Sequence, residues 1–154
     1  MKISEILSKD SILPNLEPDT KPDVLNTLCQ FLKEKGTIKD DATLHSALLE
    51  REKLGSTGIG ENVAIPHAKS DDIDRILCVF GRSVNGIEYE SLDQKPVHFV
   101  CLLLAPSNST GQHLKALARI ARNLKSQKVK EDIFKAQDAS GIYKLILNED
   151  SNFI

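Results

Sequence analysis

Nine consecutive residues, Val97 to Ala105, read VHFVCLLLA and carry one polar side chain, His98. A strand that is apolar at neighbouring positions presents apolar groups to both faces, so it belongs in the middle of a covered sheet. Ile76 to Phe80, ILCVF, has the same character and is bounded by charge. Around these two runs the spacing is helical. Lys21 to Lys35 lines up Val24, Leu25, Leu28, Cys29, Phe31 and Leu32, a one-sided apolar stripe. Thr20 is placed to cap it, Pro22 suits its first turn and Gly36 stops it. Asp40 to Leu54 repeats the pattern with Leu44, Ala47, Leu48 and Leu54, and Gly55 stops it.

The remainder follows the same alternation. Residues 1 to 16 fit a short helix and a short strand at Ile12-Leu13. Asn85-Gly86 is a strong turn signal and predicts a hairpin returning as Ile87 to Tyr89. After the capping cluster Ser107-Asn108-Ser109-Thr110 comes a helix whose apolar face holds Leu114, Leu117, Ala118, Ala121 and Leu124. With Thr110 as its N-cap, His113 falls at the third helical position. Two shorter helices, near Lys128 to Gln137 and Ser140 to Leu147, close the chain before a tail expected to be loosely ordered. The reading is an α/β layer fold in one domain over residues 1–154, its sheet mixed because of the hairpin.

Composition narrows the function classes. Lys and Arg number 20 against 22 Asp and Glu, a net charge of −2. That leaves no basic footprint for nucleic acid, and five Phe, two Tyr and no Trp offer no stacking set for single strands. Apolar residues at 40% and charged residues at 27% suit a globular protein. Cys29, Cys78 and Cys101 each sit inside an apolar run and read as buried thiols of a reducing compartment. No charged-then-apolar leader opens the sequence. The longest apolar run, Val97 to Pro106, is about half a bilayer span. The expectation is a cytoplasmic protein without membrane insertion.

Chemistry concentrates between Glu50 and Lys69, EREKLGSTGIGENVAIPHAK. A charged helix end runs into a small-residue loop, then a short strand, Val63-Ala64-Ile65, that ends at Pro66-His67. Pro66 lacks an N–H, so the ladder should stop there and leave the His67 ring free of sheet packing. No HExxH or CxxC spacing points to a metal. The glycines Gly55, Gly58 and Gly60 precede a strand instead of opening a helix, and the phosphate-loop Lys-Ser/Thr is missing, so nucleotide binding is discarded. No GxSxG serine is present.

Histidine as a nucleophile remains. A neutral imidazole attacks phosphorus without first losing a proton. His67 supplies such a ring and Arg51 a fork of donors matched to phosphoryl oxygens. His113, in a first helical turn, feels the positive end of the dipole, which favours its neutral form, and the amides beside it add anion stabilisation. Each has a plainer reading: His67 as a polar strand end, Arg51 as a cation completing a helix C-terminus. His98, inside a buried strand, reads as a structural histidine. The stripe Lys115, Arg119, Arg122 and Lys125 is either a solvated face or a docking surface for an acidic partner.

REKLGSTGIGENVAIPHAK, Arg51 to Lys69, closely resembles the signature of fructose/mannitol-type IIA domains of the phosphoenolpyruvate-dependent sugar phosphotransferase system. LLLAPSNSTGQHLKALARIARNL, Leu102 to Leu124, is similar to the family's second element. The resemblance spans almost the whole sequence and implies a mixed sheet of roughly five strands flanked by helices on both faces. It implies that His67 accepts a phosphoryl group through Nε2 from the phosphocarrier protein HPr, with His113 and Arg51 as companions. It also implies hand-over to a IIB partner or regulation of target proteins, without cofactor or metal. Gly58, Ile59 and Gly60 are expected to let the partner's loop approach closely. The stretches LCVFGRS and SLDQKPVHFVCLLLAP, with no attached IIB or IIC unit, look most like the stand-alone nitrogen-regulatory branch. A sugar-transport IIA and a non-catalytic binding regulator on the same fold are the alternatives.

Overall fold

The computed structural model describes residues 1–153. Its strands are β1 (Ile12–Leu13), β2 (Gly58–Gly60), β3 (Val63–Ala64), β4 (His67–Ser70), β5 (Leu77–Ile87) and β6 (Val97–Pro106). Its helices are α1 (Lys21–Glu34), α2 (Asp41–Lys53), α3 (Gln112–Asn123), α4 (Gln127–Lys135) and α5 (Ala139–Asp150), with 3-10 turns at Ile3–Glu5, Lys9–Ser11 and Ser151–Phe153. They build a single α/β domain on one six-stranded sheet in the order β1-β5-β6-β3-β2, with β4 also paired to β6. The sheet is mixed: β1–β5, β3–β6 and β4–β6 are parallel, β5–β6 and β2–β3 antiparallel.

The apolar run 97–105 is the central strand, as its sequence demands. Successive side chains point to opposite faces. Phe99, Cys101 and Leu103 pack with Ala116, Ile120, Ile133, Ile142 and Ile146 of α3 to α5. Val100, Leu102 and Leu104 pack with Val24, Leu25, Leu28, Leu44 and Leu48 of α1 and α2. Both faces are therefore covered by helices. All three cysteines are free and buried.

Asn85-Gly86 does not make a hairpin. It lies inside β5, where the pairing passes from Arg82↔Phe99 to Ile87↔Val97. Residues 83–86 thus oppose His98 alone, as a bulge larger than the usual two residues against one. Gly86 takes φ 92° there, its N–H donates to Ser83 Oγ at 3.1 Å, and the His98 ring fills the gap by donating Nδ1–H to Ser83 O at 2.7 Å. His98 is structural. The sheet owes its mixed character to the long β5–β6 pair, whose connection runs through residues 88–96.

α3 is rotated from the face its apolar residues suggest. Ala116, Ile120, Asn123 and Leu124 are buried, whereas Leu114 is 61% exposed. Asn123 takes an inward position because its amide donates to Ile146 O at 3.0 Å; a count of apolar residues passes over it. The helix also begins later than expected, with Gly111 as N-cap in the left-handed region and no side-chain cap from Thr110, which puts His113 at the second position. Leu54 points to solvent. Within the basic stripe, Arg119 is drawn to Asp150 and Arg122 stacks over Phe153 at 4.5 Å, while Lys115 and Lys125 stay exposed.

The end of the chain is ordered through Phe153, contrary to expectation. Asp150 is 3% exposed. Its carboxylate accepts from Arg119 Nε at 2.5 Å and from Ile3 N at 2.9 Å, and so joins α5, α3 and the N-terminal turn. Ile154 lies outside the described residues.

Candidate functional site: a cleft between two histidines

α2 ends one turn after Leu48, whose burial fixes the helix against the sheet. Arg51 leaves that last turn and donates from Nη1 to Gly55 O at 2.9 Å. That bond uses one of the guanidinium's five N–H groups.

Pro66 does not end the ladder. The ladder is interrupted over Ile65 and Pro66 and resumes as β4 at His67, paired with Leu103. A proline lacks the donor but keeps the acceptor, and Leu103 N donates to Pro66 O at 2.9 Å. His67 is therefore seated in the sheet, half-buried, with its backbone in register with β6. Its Nδ1 lies 2.9 Å from Ile65 O. A carbonyl only accepts, so Nδ1 carries the hydrogen and the lone pair of the neutral ring is on Nε2.

Arg51 and Ala47 of α2, His67, Ala68 and Lys69 of β4, Leu103 and Ala105 of β6, and His113 of α3 line one cleft of about 260 Å³. Three sequence candidates thus meet, brought from separate segments. The walls are small or apolar apart from two histidines and two cations, and among the described residues no carboxylate lines the cleft. Nδ1 of His113 is buried without a hydrogen-bond partner. A neutral ring is read with its hydrogen on Nε2, since orphaned buried N–H groups are rarer than under-satisfied acceptors. The arrangement suits an anion held by N–H donors beside one basic nitrogen.

Lys69 was not singled out in the sequence. The available signal was its place two residues after His67, on the same side of a strand. Its Nζ donates to Ser109 O at 3.2 Å, which holds the loop before α3 against β4.

Gly58, Ile59 and Gly60 do not line this cleft. They form the edge strand β2 instead of a loop, with Gly58 opposite Ala64 and Gly60 opposite Val63. Ile59 is 48% exposed. Gly58 is required by a close approach: a Cβ there would stand 2.9 Å from Ser91 Cα. Gly58→Ala is expected to lower stability by about 1–3 kcal/mol through overpacking, read as an earlier midpoint in urea with unchanged slope.

Among the described residues no group of three or more His, Cys, Asp or Glu could hold a metal ion. No described helix is long and apolar enough to cross a membrane.

A mixed sheet covered by helices on both faces is the fold of phosphotransferase-system IIA domains. Residues 5–149 match the family described as the phosphoenolpyruvate-dependent sugar phosphotransferase system, EIIA 2, and the chain belongs to that family, whose members transfer phosphoryl groups. It is 39% identical over 146 residues to a nitrogen regulatory protein of Bradyrhizobium diazoefficiens, covering 95% of each chain. It is 36% identical over 150 residues to the fructose-specific EIIABC component of Bacillus subtilis, covering 97% of this chain and 24% of that protein, about a quarter of its length. The crystal structure of IIA-Ntr from Neisseria meningitidis superposes with a TM-score of 0.86 at 29% identity, over 94% of this chain and 98% of that one. The fold is shared with mannitol IIA of Escherichia coli in its complex with phosphorylated IIB (TM-score 0.78, 19% identity, 93% and 99% covered).

Proposed function

We propose that this domain, residues 1–154, is a cytoplasmic phosphoryl carrier of nitrogen-regulatory type, phosphorylated on His67 Nε2 by an HPr-type phosphocarrier. The observation that carries the reading is the Nδ1–H bond from His67 to Ile65 O, which leaves Nε2 as the basic nitrogen of a cleft with Arg51 and Lys69 and no carboxylate. The Nε2 lone pair attacks phosphorus as the bond to the donor histidine breaks, and that electron pair returns to the donor's ring. Arg51 and the Nε2–H of His113 bind the phosphoryl oxygens, where developing charge meets fixed donors. The absence of a carboxylate leaves no adjacent base to activate water against the adduct. The phosphoryl group then passes to a IIB component or changes binding to a regulatory target. Ile59, exposed on the edge strand between Gly58 and Gly60, is part of the partner-facing surface. The 39% identity to a nitrogen regulatory protein along nearly its full length supports the regulatory branch.

The test is intact-protein mass spectrometry after incubation with phosphoenolpyruvate, enzyme I and HPr. The expected result is an acid-labile gain of one phosphoryl group; no gain with active donors would sink the reading. His113→Ala is expected to keep labelling but slow it by about a hundredfold, the usual effect of losing one such donor, measured by quenched time courses.

A further inference from the structure

A buried polar network stands behind the cleft and does not line it. Glu52, beside Arg51 at the end of α2, has a side chain 5% exposed, and its Oε1 lies 3.2 Å from Lys21 Nζ. The same carboxylate accepts Thr57 N–H at 3.0 Å and Thr57 Oγ1–H at 2.5 Å. With that hydroxyl's hydrogen directed at Glu52, Thr57 Oγ1 accepts from the Tyr89 hydroxyl at 3.1 Å. Burial, then the charge of Glu52, push the Tyr89 phenol well above its ordinary range, so it keeps its proton. Lys21, Thr57 and Tyr89 are 7%, 4% and 1% exposed. Well-packed apolar residues commonly serve stability as well as a buried ion pair does. A buried pair whose carboxylate accepts two bonds from one threonine points to geometry as its use.

Two more hydrogen bonds carry that geometry to His67. Thr57 O accepts Ile65 N–H at 3.0 Å, and Ile65 O accepts His67 Nδ1–H at 2.9 Å. On its other side the same loop is held by Arg51 through Gly55 O. Arg51 and Glu52, adjacent in sequence, thus fix one short segment from its exposed and its buried side.

We propose that Thr57, held by Glu52, is the positioning residue of the site: it sets the peptide at Ile65 whose carbonyl fixes the tautomer and orientation of the His67 ring. The proposal rests on His67 being the phosphoryl acceptor. Thr57 touches no phosphoryl group. It acts through the backbone, as outer partners of a ligating histidine do.

The test compares wild type, Thr57→Val and Thr57→Ser by the ¹⁵N shifts of the His67 ring and by the rate of labelling from phosphorylated HPr. The wild-type ring is expected as the Nδ1–H tautomer alone. Thr57→Val keeps the shape and loses the hydroxyl. It should admit the Nε2–H tautomer and slow labelling by about ten- to a hundredfold, and Thr57→Ser should restore both. Should Thr57→Val fail to fold, Lys21→Met with Glu52→Gln removes the charges together and offers Thr57 one acceptor oxygen in place of two; the same tautomer change is expected. An unchanged tautomer in the folded variant, or a wild-type ring protonated at Nε2, overturns the proposal. A wild type that takes no phosphoryl group overturns the carrier reading instead, and the tautomer comparison still decides this one.

Discussion

His67→Ala is expected to take up no phosphoryl group under conditions that label the wild-type protein fully. The loss should be complete instead of graded. The cleft's other ring, His113, has its Nδ1 buried, and with its hydrogen on Nε2 it would present no accessible lone pair to phosphorus. Guanidinium and ammonium groups such as those of Arg51 and Lys69 are donors only and are no substitute nucleophiles. The substitution removes a half-buried side chain from an edge, and the ladder bonds of β4 are made by backbone. Thermal unfolding should therefore move little while labelling vanishes. Residual labelling of the variant at a comparable rate would place the acceptor elsewhere.

The second large effect is on stability. Asp150→Ala is expected to cost about 3–5 kcal/mol, the range for removing one partner of a buried ion pair. Asp150 and Arg119 are 4% and 17% exposed at their side chains, so the stranded guanidinium cannot fully rehydrate. Ile3 N loses its acceptor as well. For a chain of this size the loss corresponds to a melting point lower by roughly 10 °C. Asp150→Asn, which keeps an acceptor oxygen, should lose less. Equal melting points for wild type and Asp150→Ala would mean that the C-terminal turn does not bear on the core.

What the sequence made legible follows from how locally each feature is encoded. β5 and β6 stood out because burial on both faces leaves consecutive apolar residues. α1 and α2 stood out because one-sided burial leaves a period. β2 and β4 were not visible: GIG and HAKS have no apolar alternation, and their strand conformation comes from pairing with β3 and β6. The bulge at Ser83 to Gly86 was misread as a hairpin because both use a glycine at positive φ. What separates them is the continuation of β5 along β6, which no local signal contains. The face of α3 turned on Asn123, a polar residue whose amide N–H is bonded inside to Ile146 O. At the candidate site, the two motifs singled out Arg51, His67 and His113 for the proposed role. The meeting of these residues in one cleft, the share of Lys69, and the bond that fixes the His67 ring needed the fold.

The seating of His67 within the sheet has a consequence for signalling. A nucleophile on a free loop could report its modification by a change of shape. Here the backbone on both sides of Pro66 is bonded to the central strand, so a phosphoryl group accepted at His67 under the proposed function would arrive on a frame with no slack to release. The two forms would then be near-superimposable bodies that differ by about two units of negative charge at one spot. A partner telling them apart must read potential instead of contour, and its discrimination should fade as added salt shortens the Debye length.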